Sequence, residues 1–180
     1  MTLSSEQLGL LVEKAGGPAQ VLRILSGEIE IDIRPARGAL PGMLEVPVGI
    51  DFETRVARGG YGWRYDALTE ARFPVTDAQI GAREQKLFHF NRSVSSEDAA
   101  RLIREAGYEP ARIGEILAFG EAAPEVQVRH PVVGLGSVAE IDGKASAPTL
   151  WFDGECRTLD LLWLDGDWHR NYRFLGVREA

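Results

Sequence analysis

Asp165-Gly-Asp-Trp-His169 sets two carboxylates and an imidazole at alternate positions, and a single thiol, Cys156, stands upstream of them. Three kinds of chemistry are open to such a set. Alternating oxygen and nitrogen donors suit a metal, but calcium needs more converging carboxylate or amide oxygens than this stretch supplies, so a hydrated turn is expected. Cys156 and His169 are a nucleophile and a base by type, and such groups assemble across sequence, yet no third member stands out. The remaining chemistry is recognition. Asp, His, Arg, Asn and Tyr crowd into Asp165 to Tyr172, and these are contact residues rather than filler. No glycine-rich phosphate loop with a following lysine, no metalloprotease histidine pair and no nucleophile elbow occurs in the chain. The expectation is a protein with no catalytic residues, no metal and no cofactor.

Such side chains need a frame. Leu159, Leu161 and Trp163 fall at period two, so a strand points them to one face and Thr158, Asp160 and Leu162 to the other. Asp165-Gly-Asp167 is a turn candidate, and Trp168 to Tyr172 lead into a closing strand, Arg173 to Arg178. Leu162 has two readings, an outward contact patch with Tyr172 and His169 or a second layer of core.

Upstream, Ser95-Ser-Glu-Asp98 caps a helix from Asp98 to Ala106, with Ala99, Leu102 and Ile103 as its buried stripe and Gly107 closing it. A second helix is expected over Tyr108 to Phe119, with Pro110 in its first turn and Ile113, Ile116, Leu117 and Phe119 inward. Four or five short strands follow from Val132, which makes an α+β domain. Lys86 to Asn91 reads as a strand with Leu87 and His89 on one face, His89 being a hydrogen-bonded structural residue. His130, before Pro131, is restricted in its backbone. Phe52 to Ala57 reads as another strand, and the rings of Gly59 to Tyr65 are expected to bury in preference to forming a stacking platform.

The N-terminal segment reads differently. A capping pattern at Ser4 to Gln7 precedes Leu8, Leu11 and Val12, Gly16-Gly-Pro18 breaks that helix, and Ala19 to Ser26 forms a second. A helix-turn-helix is suggested, but an alternating acidic strand, Glu28 to Ile33, follows where a basic recognition helix would be needed. Pro35 to Pro47 is proline-rich and aperiodic, an irregular linker. Residues 1–42 are therefore expected as a helix pair with its linker, and residues 43–180 as the main domain, with a display region at about 150–178.

At 180 residues and 44% hydrophobic, the chain can bury one good core. A formal charge of −7 argues against a general nucleic-acid surface. One cysteine cannot form an internal disulfide. No apolar run reaches a membrane span and no basic-then-apolar leader opens the chain, so a cytoplasmic location is the default, with a virion or non-classical export leaving no such mark.

Five blocks then carry a resemblance. His89-Phe-Asn-Arg-x-x-Ser-Ser-Glu-Asp-Ala99, Gly107-Tyr-x-Pro-Ala111, Glu115-Ile-Leu-Ala-Phe-Gly120, Pro131-Val-Val-Gly-Leu-Gly-Ser137 and Trp163-x-Asp-x-x-Trp168-x-x-x-Tyr-Arg-Phe-Leu-Gly-Val-Arg178 occur in that order. They resemble the variable target proteins of diversity-generating retroelements, in which a C-type lectin fold displays a mutable surface. The resemblance implies a receptor-like protein with a macromolecular ligand, a protein or a surface component, and no enzymatic activity. It implies display positions at Phe152, Asp153, Gly154, Cys156, Thr158, Asp160, Leu162, Asp165, Gly166, Asp167, His169, Arg170, Asn171 and Tyr172. The scaffold beneath them would be Leu159, Leu161, Trp163, Trp168, Arg173 and Phe174. A more distant similarity, to the formylglycine-generating and sulfatase-modifying group, rests on Gly107-Tyr-x-Pro110 and Phe174-x-x-Val-Arg178. Those enzymes work with a pair of cysteines, and this chain departs from the pattern in having only Cys156. That enzyme reading, and a small DNA-binding module at residues 4–26, are the alternatives.

Overall fold

Backbone groups set the architecture, since each N–H and C=O that leaves water must find a partner. In a computed structural model of the chain, residues 42–179 are described, all within the unit Ala39–Ala180. The expected helices at residues 4–26 and the strand at Glu28 to Ile33 lie outside them. Elements run β1 (Met43–Val46), α1 (Phe52–Gly59), β2 (Trp63–Arg64), β3 (Gly81–Phe88), α2 (Ser96–Glu105), β4 (Glu109–Pro110), α3 (Ile113–Ala122) and α4 (Pro124–Arg129). Five strands follow, β5 (Val132–Val133), β6 (Ala139–Ile141), β7 (Lys144–Phe152), β8 (Arg157–Trp163) and β9 (Arg173–Glu179). The fold is mixed α+β.

The strands form one sheet in the order β1-β3-β9-β5-β7-β8-β2, with β4 added on β9 and β6 on β7. β3 and β9 pair antiparallel from Arg83↔Glu179 to Phe88↔Phe174. Short β5 joins the halves, parallel to β9 and antiparallel to β7. One face packs on α1 and α3 through Phe52, Ile116, Leu117, Phe119, Leu159 and Leu175. The other holds Phe88, Ile103, Tyr108, Trp168 and Phe174. Gly176 is where β9 meets that second layer, because a Cβ there would stand 2.6 Å from the Phe88 ring.

Helix α2 begins at Ser96, two residues before the expected Asp98, because the Ser95 hydroxyl caps it by accepting from Asp98 N–H; Ala99 and Ile103 are buried, Leu102 is only half-buried, and Gly107 takes φ +80° just past the end. The second helix starts five residues later than expected. Glu109 and Pro110 pair with Val177 and Gly176, and Ala111 N–H donates to Leu175 O, so Pro110 sits in a strand rather than a first helical turn. The α3 N-terminus is satisfied by side chains. Arg112 N–H donates to Glu115 Oε2 (2.6 Å), Ile113 N–H to Ser137 Oγ (2.9 Å) and Gly114 N–H to Gln79 Oε1 (2.6 Å).

Three other expectations change. Phe52 to Ala57 is helical: Asp51 caps it by accepting from Thr54 N–H, and Phe52, Arg55 and Gly59 face inward at helical spacing. Its period was hidden because an inward position is an arginine, 5% exposed, donating to Ile50 O and Pro47 O. The linker read over Pro35 to Pro47 contains β1, whose Leu44 and Val46 are buried and which pairs with β3. The strand expected over Lys86 to Asn91 is the last part of β3 and ends at Phe88, leaving His89 outside it.

Candidate ligand cleft

β8 and the loop that follows it build a cleft of about 390 Å³. Its size is within the range of small-ligand or side-chain pockets. Leu161, Leu162 and Trp163 line it from the strand, and Asp165, Gly166, Asp167, Trp168 and Tyr172 from the loop. Tyr65, Ile141 and Ser146 complete it from across the sheet.

The loop is held at many points, so the cleft wall is preorganised. Trp168 and Val94 exchange backbone hydrogen bonds in an isolated bridge. Trp168 Nε1 donates to Ser96 Oγ (2.8 Å), and its ring packs edge-on against Tyr172 and Phe174. Ser96 Oγ in turn donates to Leu164 O, and Tyr172 N–H closes a turn on His169 O. His89 Nε2 lies 2.9 Å from Arg170 O, and burial and then Arg173 hold its pKa below the ordinary value. His89 is thus a structural tie to the loop. His130 follows α4, with Nε2 3.5 Å from Arg173 Nη2.

β8 divides the expected display positions. Leu162, Asp165, Gly166, Asp167 and Tyr172 line the cleft. His169, Arg170 and Asn171 are exposed on the same loop beside it. Phe152, Asp153, Gly154 and Cys156 lie at the β7–β8 turn, the far end of the strand. Thr158 does not suit display: it is 2% exposed, and Gln127 donates to its carbonyl. Its hydroxyl donates to Trp151 O on the paired strand β7. Asp160 is half-buried, accepting from Trp151 Nε1 (3.1 Å) and from Leu161 N–H (2.7 Å), and burial pushes its carboxyl up. Burial, with Asp160 second, also raises the Tyr172 phenol.

Among scaffold residues, Leu159, Leu161, Trp168 and Phe174 are buried. Half-buried Arg173 donates to Asn171 O and Tyr172 O. Trp163 departs from its scaffold role. It is 57% exposed, because β2 ends before reaching it, and Lys144 Nζ sits 3.7 Å over its ring while also pairing with Asp165 (3.3 Å).

Sequence reading missed Tyr65, Ile141 and Ser146. Ring burial was expected throughout Gly59 to Tyr65, but Tyr61 and Tyr65 are only half-buried, Tyr65 against the cleft, and Trp63 is 46% exposed. The Gly-x-Gly spacing that frees the rings was the available signal.

Other chemistry has less support. Among the described residues no three His, Cys, Asp or Glu converge as a metal would need. Cys156 lies against Gly62 and Asp153, and partial burial followed by the Asp153 hydrogen bond raises its thiol pKa, the reverse of nucleophile activation. A second depression, of about 560 Å³, is lined by Arg83, Arg104, Arg112 and Arg178 near the end of β9. Three of its arginines are paired: Arg178 with Glu84 (2.6 Å), Arg104 with Glu109 (3.3 Å) and Arg83 with Glu115 (3.8 Å).

Comparison with protein-family models, with curated proteins and with solved structures gives no match. No described helix is long and apolar enough to cross a membrane.

Proposed function

We propose that the chain is a non-enzymatic ligand-binding protein, a receptor-like variable protein of a diversity-generating retroelement, using a C-type-lectin-like domain to present a mutable face. The observation that carries this is the cleft: five expected display positions meet there, Leu162 from β8 and four from a loop fixed to buried Trp168 and Phe174. The strand order supports the lectin-like layout, since the first long strand, β3, pairs with the last, β9. Three helices, α2, α3 and α4, lie between them in the chain, and β5 bridges to the β7–β8 hairpin. The ligand is a protein or another surface macromolecule, taken up by a rigid face with an apolar centre and a polar rim. The formylglycine-type alternative is disfavoured by a lone thiol whose neighbours make it less acidic.

Sequencing the locus across a population tests the reading. Adenine-templated substitutions are expected at Leu162, Asp165 to Asp167 and His169 to Tyr172, with Leu159, Leu161, Trp168 and Phe174 constant. Thr158, 2% exposed, should stay constant too. An invariant stretch from Phe152 to Tyr172 would sink the diversified reading and leave a binder of fixed specificity.

A further inference from the structure

We infer that the ligand of this cleft is an extended, basic polypeptide segment that adds as a strand to the edge of β8 left unpaired among the described residues beyond β2. The inference rests on the binding role proposed above. Alternate residues of β8 turn their backbone groups to opposite sides. Leu164 N–H, just beyond the strand, donates to Ala145 O on the β7 side. On the other side Gly62 N–H donates to Arg157 O (2.9 Å) and Tyr65 N–H to Leu159 O (3.0 Å). Residues 161 and 163 continue that outward set. β2 pairs only at Trp63↔Thr158 and Arg64↔Leu159, and a Leu68 N–H to Tyr65 O turn then takes the chain off the edge.

Beyond that point the Leu161 carbonyl and both backbone groups of Trp163 face outward with no partner among the described residues. Leu161 N–H alone is taken, by Asp160. The cleft borders this edge at Tyr65, the residue at which β2 leaves it. It touches three consecutive strand residues, whose side chains alternate between faces, so it opens around the end of β8 at Trp163 and reaches Ser146 and Ile141 on the other side. An unpaired edge beside pockets for alternate side chains is what strand addition requires.

Charge selects the occupant. Asp167 lines the cleft, and Asp66 and Asp142 line the depression beyond Tyr65, none of them in an ion pair among the described residues; Asp165 also lines the cleft but is paired with Lys144. Lys144 is already engaged by Asp165 and the Trp163 ring, and Arg72 of that depression donates to Glu140 O. A segment alternating lysine or arginine with an apolar residue would set its cations on the acids and its apolar side chain in the cleft.

The test selects binders to the full chain from a displayed library of eight-residue peptides. The best binder is then remade with N-methyl groups on one or the other alternate set of backbone amides. We expect one methylated set to lose at least about tenfold in affinity and the other set little, because only alternate amides face β8. Trp163→Pro, which removes an outward N–H, should weaken binding well beyond Trp163→Ala. On peptide addition, hydrogen exchange at the Trp163 amide should slow at least about tenfold, while Leu162, already facing β7, changes little. If Trp163→Pro fails to fold, the methylated peptides and the exchange carry the decision. Equal binding by both methylated sets would overturn strand addition and leave a side-chain interface. A dimer of the full chain that Trp163→Pro dissolves would give the edge to a second copy instead. No enriched peptide, with binding to a glycan array lost in Trp163→Ala, would overturn the peptide reading in favour of sugar. No binding to either would overturn the recognition role itself.

Discussion

The two ends of β9 carry contrasting surfaces. At Val177 to Glu179 the wall holds four arginines and looks like an anion site on composition alone. Three of those cations are in ion pairs within the fold, so an incoming anion would have to displace carboxylates already in place. At Arg173, preceded by Tyr172, the wall is aromatic and acidic, with Trp163 exposed and outward backbone groups on β8. Density of charge does not make a binding surface. Groups on a rigid frame that are left without a partner do, and among the described residues these lie at the cleft end.

The largest effect should come from removing the anchor of the cleft loop. Trp168→Ala deletes a 4%-exposed indole and the partner of Ser96, and by large-to-small precedent should cost about 3–5 kcal/mol in urea unfolding. A loss below about 1 kcal/mol would mean the loop is held by its other ties, and the preorganised wall would lose its main support. Trp168→Phe should recover most of that stability, because it restores the ring contacts with Tyr172 and Phe174 and leaves only the Ser96 hydroxyl without its partner.

Why this loop was legible, and other parts were not, follows from what each position contributes. Ser95, Ala99, Ile103 and Gly107 advertise α2 because cap, stripe and stop are all local. The strands after Val132 show themselves by apolar alternation and turn residues. Pro110 misleads because pairing with Gly176, 66 residues away in sequence, decides its conformation. Phe52 to Gly59 misleads because a buried arginine breaks the apolar period of α1, and β1 hides between prolines. The cleft was half legible: the display loop is contiguous, but Tyr65 and Ile141 arrive through β2 and β6, whose places in the sheet no local pattern gives. Trp163 read as scaffold because alternation puts it with Leu159 and Leu161; only the early end of β2 exposes it.

Two buried carboxyls sharpen the comparison at the next scale. Glu115, at the arginine end, is 2% exposed, and burial raises its pKa against the opposing pull of Arg112 N–H and Arg83. Asp160, at the cleft end, is raised by burial with only N–H donors against it. A carboxyl raised on folding contributes stability that is full below its unfolded pKa, near 4.5 for Glu115 and 3.8 for Asp160, and lost as pH rises through the folded value. Glu115→Gln and Asp160→Asn cannot ionise, so from pH 4 to pH 7, on the order of the window involved, each should gain in urea midpoint relative to wild type. Parallel curves for a variant and wild type would mean that its carboxyl titrates as an exposed group. Glu115→Ala, which also strands Arg112 N–H, should cost about 1–3 kcal/mol at all pH values.

The smallest effects separate the two ends most cleanly. Trp163→Ala removes an exposed ring, so stability should stay within about 0.5 kcal/mol of wild type while ligand capture falls. Arg178→Ala breaks the pair with Glu84, yet both partners remain in contact with water, and the urea midpoint should not change measurably. Neither should it change ligand capture, since Arg178 stands at the opposite end of β9 from the cleft. If Arg178→Ala lowered capture and Trp163→Ala did not, the arginine basin would be the binding surface, and its ion pairs would have to open to admit the ligand.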